Sequence, residues 1–260
     1  MSFPIPKTIP RHALVTGGAR RLGAAMARAL AQAGFDVTLH VHASRAEGEA
    51  LAAELRAMGR RAQVLAADLA REEEVQPLLG QAEAGLGPLG VLVNNASTFT
   101  RDEWHDATRA SWDHHLEPNL RAPFVLTQHF AARLPAGAEG VVANLLDQRV
   151  LSLTPHFVTY TVSKAALWAL TQQLALALAP RIRVFGIGPG PALPSSRQSQ
   201  EQFDRQCRSV PLQRGTSPEE VARALLALLA LPSVTGQILC LDGGQHLQWA
   251  PAGAASAPEE

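Results

Sequence analysis

Short apolar runs alternate with helical patterns along almost the whole chain, and no other feature constrains the fold as strongly. The sequence predicts seven strands, at Ala13–Thr16, Val37–Val41, Ala62–Ala66, Val91–Val93, Val141–Asn144, Ile182–Ile187 and Gln237–Leu241. Helical patterns lie between them, near residues 21–33, 46–58, 71–84, 112–133, 157–178 and 217–229. Such alternation is typical of a parallel sheet covered by helices on both faces. We therefore expect a Rossmann-type, doubly wound α/β fold with ligands at the carboxyl ends of the strands.

A chain of 260 residues has room for one such domain. We expect an N-terminal extension over residues 1–10, a single domain over 11–249 and a loose tail over 250–260, where Ala, Pro and Glu dominate. Within the domain, the segment 190–212 is less regular and is rich in Pro, Ser, Gln and Arg. We expect this segment to form a substrate flap, and it is called the flap below.

Composition argues against several classes of function. Basic and acidic residues number 23 each, which gives no reason to expect nucleic acid or an anionic membrane as a partner. No apolar run approaches the ~20 residues of a membrane span, and the proline-rich start does not resemble a secretory signal. Neither the two cysteines, Cys207 and Cys240, nor the nine histidines show metal-ligand spacing. We expect no metal, and a cytoplasmic protein with reduced thiols.

A glycine-rich loop follows the first predicted strand and opens the first helix, with the sequence Thr16-Gly17-Gly18-Ala19-Arg20-Arg21-Leu22-Gly23. Glycines let the backbone approach a pyrophosphate, and the N-terminus of a helix offers free N–H groups and a positive dipole. This position therefore predicts a dinucleotide site. The predicted contacts in this loop are Gly17, Arg20, Arg21, Leu22 and Gly23.

The end of the second strand favours NADPH over NADH. An NAD site usually has an acid there for the ribose 2′-hydroxyl, whereas this sequence reads His40-Val41-His42-Ala43-Ser44-Arg45, and its first acid downstream is Glu47. His42, Ser44 and Arg45, with Arg20 and Arg21, are suited to a 2′-phosphate. Further cofactor contacts are predicted after the third and fourth strands, at Asp68, Leu69, Asn95, Ala96 and Ser97.

Tyr160 is the only tyrosine of the chain, and Lys164 lies four residues later on the same face of a predicted helix. A phenol gives up its proton poorly at neutral pH. A neighbouring ammonium lowers the pKa of the phenol, because it stabilises the phenolate. The pair is therefore a candidate general acid.

With these motifs, the chain resembles the short-chain dehydrogenase/reductase family from about residue 11 to residue 249. The matching motifs are the glycine loop, Asp68, Asn94-Asn95-Ala96, Asn119, Tyr160/Lys164, Pro189-Gly190 and Asp242-Gly243-Gly244. The resemblance implies that Asn119 holds a water linking Lys164 to solvent. It also implies that Tyr160, Lys164, Pro189 and Gly190 contact the cofactor.

Two departures from the family resemble its pteridine reductase branch. Arg21 stands where the family loop usually has glycine, and Asp147 stands where the family usually has its catalytic serine, 13 residues before Tyr160. His42-Ala43-Ser44 is similar to that branch's His-Arg-Ser phosphate clamp, with Ala43 in place of the arginine. The run from Asn94 to Phe99 is similar to its N-N-A-S-S-F. The resemblance implies that Ser97, Phe99, Asp147 and Tyr160 bind a pterin, on which Phe99 stacks.

The chemistry of a carboxylate fits such a substrate. An ionised carboxylate can only accept hydrogen bonds, so Asp147 repels the charge that develops on a ketone oxygen but can bind ring N–H groups. We therefore expect an NADPH-dependent reductase of a dihydropterin or dihydrofolate. A carbonyl reductase or alcohol dehydrogenase of the same fold remains an alternative, and a non-catalytic NADP(H)-binding sensor is a second one.

The family resemblance also implies a homotetramer. The long predicted helices near 112–133 and 157–178 carry Phe124, Leu126, Leu167 and Leu170, and apolar residues on such helices can pair across a two-fold axis.

Overall fold

The computed structural model describes residues 4–195 and 198–247. Seven strands form one sheet with the order β3-β2-β1-β4-β5-β6-β7, and every neighbouring pair is parallel. The strands are β1 (His12–Val15), β2 (Asp36–Val41), β3 (Ala62–Ala66), β4 (Val91–Asn94), β5 (Gly140–Leu145), β6 (Ile182–Pro189) and β7 (Ile238–Leu241). The predicted Rossmann-type α/β fold is confirmed.

Helices cover both faces of the sheet. They are α1 (Arg21–Gln32), α2 (Arg45–Ala57), α3 (Glu72–Val75), α4 (Leu78–Leu86), α5 (Arg109–Leu116), α6 (Ala122–Arg133), α7 (Val158–Ala177), α8 (Gln200–Ser209) and α9 (Pro218–Leu229). Successive side chains of a strand point to opposite faces, and β1 shows this, since Ala13 and Val15 pack in one core cluster and Leu14 in the other. Within the described residues, none of the helices is long and apolar enough to span a membrane.

Two predicted helices are broken in the structure. The pattern near 71–84 forms α3 and α4, which are separated at Gln76 and Pro77. The pattern near 112–133 forms α5 and α6, joined by a π-helix over Glu117–Arg121 that contains Pro118. A proline cannot donate to the backbone four residues earlier and disturbs the helix around it. Both breaks therefore occur where the sequence places a proline.

The flap is more ordered than the sequence suggested. It contains α8, which begins with a capping box between Ser199 and Gln202. The expectation of an irregular segment is wrong for these ten residues, because α8 has only two apolar residues, Phe203 and Cys207, too few to reveal a helical period in the sequence. Its serine-x-x-glutamine cap was the available signal. The predictions for residues 248–260 lie outside the described residues.

Two of the four residues expected at a subunit interface lie inside the chain's own core. Leu126 is 0% exposed and Leu167 is 1% exposed, because α6 and α7 pack them inward. They cannot pair across a two-fold axis, and this part of the expectation is wrong. Phe124 and Leu170 are half-buried and keep accessible surface.

Candidate active site

The glycine loop between β1 and α1 has little room for side chains. Gly17 has a φ of +60°, and Arg21, at the position where the family has glycine, has a φ of +51°. A Cβ added at Gly23 would lie 2.2 Å from the carbonyl oxygen of Gly17. Arg20 caps α1 without a side-chain hydrogen bond, so the first N–H groups of the helix remain available. The loop is therefore a tight anion-binding turn of the kind that holds a pyrophosphate.

Two side chains from neighbouring strand ends brace this loop. The side-chain amide of Asn95 donates to the carbonyl oxygens of Thr16, at 2.8 Å, and of Gly17, at 3.2 Å. Nδ1 of His40 accepts the Gly17 N–H at 3.2 Å, while its Nε2 lies 3.0 Å from the Ala67 carbonyl oxygen and donates to it. This arrangement needs a neutral ring, and burial lowers the pKa of His40 to about 4. The bracing role of His40 was not found from the sequence.

A cavity of about 690 Å³ runs along the carboxyl ends of β1, β2, β3 and β4. Except for Arg45, the cofactor residues predicted on these four strand ends line it: Gly17, Arg20, Arg21, Leu22, Gly23, His42, Ser44, Asp68, Leu69, Asn95, Ala96 and Ser97. Tyr160, Pro189 and Gly190 line a second cavity, which shares Arg21 and Leu22 with the first. The tight glycine turn and the elongated cavity fit a dinucleotide.

The two arginines of the glycine loop have partners that the sequence did not predict. Arg20 forms an ion pair with Glu47. Arg21 donates to the carbonyl oxygens of Pro194, at 2.9 Å, and Leu193, at 3.2 Å. Arg20 is therefore partly neutralised and Arg21 ties the loop to the flap, and binding of a 2′-phosphate by the two arginines stays a prediction.

Tyr160 and Asp147 meet at the second cavity. The Tyr160 hydroxyl donates to a carboxylate oxygen of Asp147 at 2.9 Å. The other carboxylate oxygen accepts the backbone N–H of Arg149 at 2.8 Å, which fixes the side chain of Asp147 at the start of a short 3₁₀ helix, Gln148–Val150. The tyrosine is therefore a donor in this arrangement, as a general acid must be.

Lys164 lies behind Tyr160 and is 3% exposed. Its ammonium donates to the carbonyl oxygen of Leu145 at 2.8 Å and lies 6.0 Å from the centre of the Tyr160 ring. Burial lowers the pKa of Lys164 to about 8, and the charge of Asp147 opposes this effect. The ammonium is thus close enough to act on the phenol through its field, without bonding to it in this structure.

Asn119 lies in the middle of the π-helix and is 0% exposed. Its side chain accepts from the backbone N–H of Thr98 at 2.8 Å and donates to Thr98 O at 3.1 Å and Ser163 Oγ at 3.0 Å. The side chain therefore holds the loop after β4 against α7. That Asn119 holds a water stays a prediction.

The N-terminus of α7 places Tyr160 through a buried aspartate. Phe157 precedes the helix with a φ of +58°, and its N–H donates to the carbonyl oxygen of Asp102 at 3.0 Å. The carboxylate of Asp102 accepts the N–H of Thr159 at 3.2 Å and also the Thr159 hydroxyl. A carboxylate at a helix N-terminus interacts favourably with the helix dipole. Asp102 therefore fixes the helical turn that carries Tyr160, and no pattern in the sequence identifies this aspartate.

The second cavity has a volume of about 240 Å³ and is called the substrate cavity below. Asp147, Tyr160 and Phe99 line it together with residues of the flap. Phe99 stacks on the buried ring of Phe157, with ring centres 4.8 Å apart, and meets Tyr160 edge-on. Ser97, predicted to contact both ligands, lines the first cavity and not this one.

Cys240, Asp242 and His246 come together at the end of β7, with their potential ligand atoms within 4.8 Å of one another. The Asp242 carboxylate already accepts the N–H of Gly244 at 3.0 Å and of His246 at 2.8 Å, and lies 2.7 Å from Nδ1 of His246. We interpret the cluster as the closure of this turn. These residues are two and four positions apart in the sequence, and this spacing was not recognised there as a cluster.

Comparisons with known proteins agree with this geometry. A family model described as short chain dehydrogenase matches residues 11–205. The crystal structure of FolM alternative dihydrofolate reductase 1 from Brucella canis, complexed with NADP, is 43% identical with a TM-score of 0.90, over 96% of this chain and 100% of that chain. Its counterpart from Brucella suis, also in complex with NADP, is 46% identical with a TM-score of 0.90, over 94% and 98%. An uncharacterized oxidoreductase from Mycobacterium tuberculosis is 35% identical over 243 residues, covering 89% of this chain and 90% of that protein.

Proposed function

Because the chain belongs to the short-chain dehydrogenase family and is an oxidoreductase, we propose that it is an NADPH-dependent reductase of a pteridine-type substrate, either a dihydropterin or a dihydrofolate. The observation that carries the proposal is the hydrogen bond from Tyr160 to Asp147. It places a carboxylate at the position where the family usually has a hydroxyl donor.

A carboxylate at this position favours a substrate with hydrogen-bond donors. Asp147 cannot donate to a carbonyl oxygen, and its charge opposes the negative charge that builds on a ketone oxygen during reduction. A reduced pteridine offers ring N–H groups instead. The NADP complexes of the two similar Brucella proteins, which are described as alternative dihydrofolate reductases, support the same assignment.

Different residues of this chain have different roles in the proposed reaction. NADPH, when bound, supplies the hydride. The glycine loop and the N-terminus of α1 hold its pyrophosphate, and the strand-end residues Asp68, Asn95 and Ala96 line its path. Tyr160 holds the proton at its hydroxyl oxygen, ready for a ring nitrogen. Lys164 stabilises the phenolate left behind, and Asp147 orients the phenol and the substrate ring.

The preference for NADPH rests on the end of β2. Ser44 and His42 line the first cavity there, and Glu47, the first acid after β2, is paired with Arg20. Dissociation constants for NADPH and NADH test this preference directly. Equal affinity for the two, or tighter binding of NADH, contradicts it.

The proposal also covers the extent of the domain, the assembly of the protein and its location in the cell. The flap covers the substrate cavity and belongs to the single domain 11–249. Phe124 and Leu170 contribute to a homotetramer, which light scattering at micromolar concentration tests, because a monomer rejects it. A reducing cytoplasm suits the two free cysteines.

A substrate panel tests the proposed reaction. The protein is incubated with NADPH and dihydrobiopterin, dihydromonapterin or dihydrofolate, beside a set of ketones, and oxidation of NADPH is followed by absorbance. We expect turnover of at least one pteridine at a higher kcat/KM than any ketone. Reduction of ketones alone contradicts the proposal and favours a carbonyl reductase.

A further inference from the structure

His115 is a histidine of α5 that lies beside the active site and is only 1% exposed. Its Nδ1 lies 2.7 Å from the hydroxyl of Thr159, and its Nε2 accepts the backbone N–H of Thr100 at 3.0 Å. Thr100 directly follows Phe99 in the sequence, and Thr159 directly precedes Tyr160. One side chain therefore bonds next to two of the residues that line the substrate cavity.

The hydrogen bonds around His115 fix the position of its ring proton. Because Nε2 accepts the Thr100 N–H, it carries no proton, and the proton of the neutral ring lies on Nδ1. The hydroxyl of Thr159 donates to the carboxylate of Asp102, which can only accept, so it receives the Nδ1 proton. Nδ1 also lies 3.1 Å from the carbonyl oxygen of Ser111. Burial lowers the pKa of His115, which keeps the ring in this neutral form.

The ring of His115 also packs against the catalytic phenol. It meets the ring of Tyr160 edge-on, with ring centres 6.0 Å apart and planes at 72°. Phe99 meets the same tyrosine edge-on at 4.6 Å. His115 therefore holds Tyr160 by ring contact and through the neighbouring Thr159. It holds Phe99 through the backbone at Thr100.

We infer that His115 is a positioning residue, which keeps the Tyr160 hydroxyl at a fixed place relative to Phe99 by joining the two chain segments that carry them. His115 lines neither the first cavity nor the substrate cavity, so it acts through these neighbours. Proton transfer depends on the placement of the donor, and an error of ~1 Å can cost about 10²-fold in rate. The inference rests on the proposed role of Tyr160 as proton donor, but not on the class of substrate.

His115→Phe tests this role, because phenylalanine keeps an aromatic ring and removes both nitrogens. We expect kcat to fall at least about tenfold with the best substrate of the pteridine and ketone panel. The fall in kcat should exceed any rise in KM, and the dissociation constant of NADPH should stay nearly unchanged. Steady-state kinetics and equilibrium binding of NADPH provide these values.

The same change in a Tyr160→Phe background separates positioning from a structural role. If His115 acts through the tyrosine hydroxyl, His115→Phe should lower kcat little further once that hydroxyl is gone. Equal fold-losses in the two backgrounds would show independent effects and would overturn the inference.

His12→Phe is the matched control. His12 is also a buried histidine, at 2% exposed, and its two ring nitrogens lie 2.7 Å from the carbonyl oxygen of Gly87 and 2.8 Å from the hydroxyl of Thr38. It begins β1, at the end of the sheet away from the active site. Both histidine variants should unfold at lower urea concentrations than the wild type, and only His115→Phe should lose kcat.

A second variant, His115→Gln, repeats the measurement if the phenylalanine variant does not fold, because glutamine retains an acceptor for the Thr100 N–H. A folded His115 variant with the kcat of the wild type overturns the inference while the proposed function stands. If the wild type reduces ketones alone, the proposed substrate class fails, and a loss of ketone turnover in His115→Phe still supports the inference. If it reduces neither class, the proposed function fails and this inference fails with it.

Discussion

A single carboxylate, that of Asp147, determines which chemistry the substrate cavity can support. It receives the Tyr160 hydroxyl on one oxygen and a backbone N–H on the other, so it is fixed in place at the cavity wall. Its neighbour Lys164 is buried, and its charge is therefore sensitive to pH near neutrality. The role of Asp147 can be tested by substitution, and the charge of Lys164 can be tested by changing the pH.

Asp147→Ser restores the donor that the family usually has. We expect it to lower kcat for pteridine reduction by at least about tenfold, since general acid–base groups typically contribute 10²–10⁴-fold. Ketone reduction should hold or rise, and NADPH affinity should stay nearly unchanged. Steady-state kinetics with both substrates measure the split, and Tyr160→Phe, which should damage both activities, is the control. Undiminished pteridine turnover in the serine variant would show that Asp147 is incidental.

The pH dependence of turnover should report the charge of Lys164. Burial lowers its pKa to about 8, so the ammonium is present below pH 8 and is lost as the pH rises through that value. Without the ammonium the phenolate of Tyr160 is less stabilised, and kcat should fall on the alkaline side from about pH 8. A pH–rate profile shows this directly. A profile that stays flat to pH 10, near the ordinary pKa of lysine, contradicts it.

At the scale of elements, Arg21 connects the glycine loop to the flap. Its positive φ is one that glycine adopts without strain, and its guanidinium bonds to two flap carbonyls. Arg21 therefore has an unfavourable backbone conformation, and its side chain connects the glycine loop to the flap. The contact indicates that Arg21 holds the flap, a role separate from the phosphate-binding role expected from the sequence.

Arg21→Gly separates the two roles. The variant relieves the backbone strain and removes the contacts to Leu193 and Pro194. A flap role predicts a several-fold rise in the KM for the pteridine, with a smaller change in NADPH affinity, because the lost hydrogen bonds hold the flap and not the cofactor. Equilibrium binding of NADPH and steady-state kinetics provide the two values. Selective loss of NADPH affinity instead supports the phosphate-binding role.

The elements also show how far the sequence can be read. All seven strands were predicted within two residues of their observed ends, because buried parallel strands are short continuous apolar runs. Helix α8 has no buried residue and only two apolar ones, Phe203 and Cys207, so it was missed. Tyr160, Lys164 and Asp147 were identified by their spacing in the sequence, whereas the role of His40 depends on hydrogen-bond partners that only the folded chain reveals.

At the scale of the whole molecule, the protein should lose stability in mild acid. The pKa of His40 is 6.5 in an ordinary environment and about 4 in the folded chain, because of burial. As the pH falls, the unfolded chain binds this proton first, so stability is full above about pH 6.5 and decreases towards pH 4. Burial also lowers the pKa values of His12 and His115, which act in the same direction.

Urea unfolding at several pH values between 4 and 7 measures this loss. For His40 alone, the difference between the two pKa values corresponds to roughly 3 kcal/mol at the acid end. A His40→Asn variant, in which an uncharged amide takes the place of the ring, should show a shallower decrease than the wild type. Equal slopes for the two proteins would contradict a contribution from His40.

The π-helix between α5 and α6 has a consequence for the outer surface of the molecule. One wide turn inserts an extra residue, and at 3.6 residues per turn an extra residue rotates everything after it by about 100°. A helical wheel drawn through residues 112–133 as one continuous helix therefore places the side chains of α6 about 100° away from their true directions. Surface engineering of α6 should be planned from a wheel that starts at Ala122, with no phase carried over from α5.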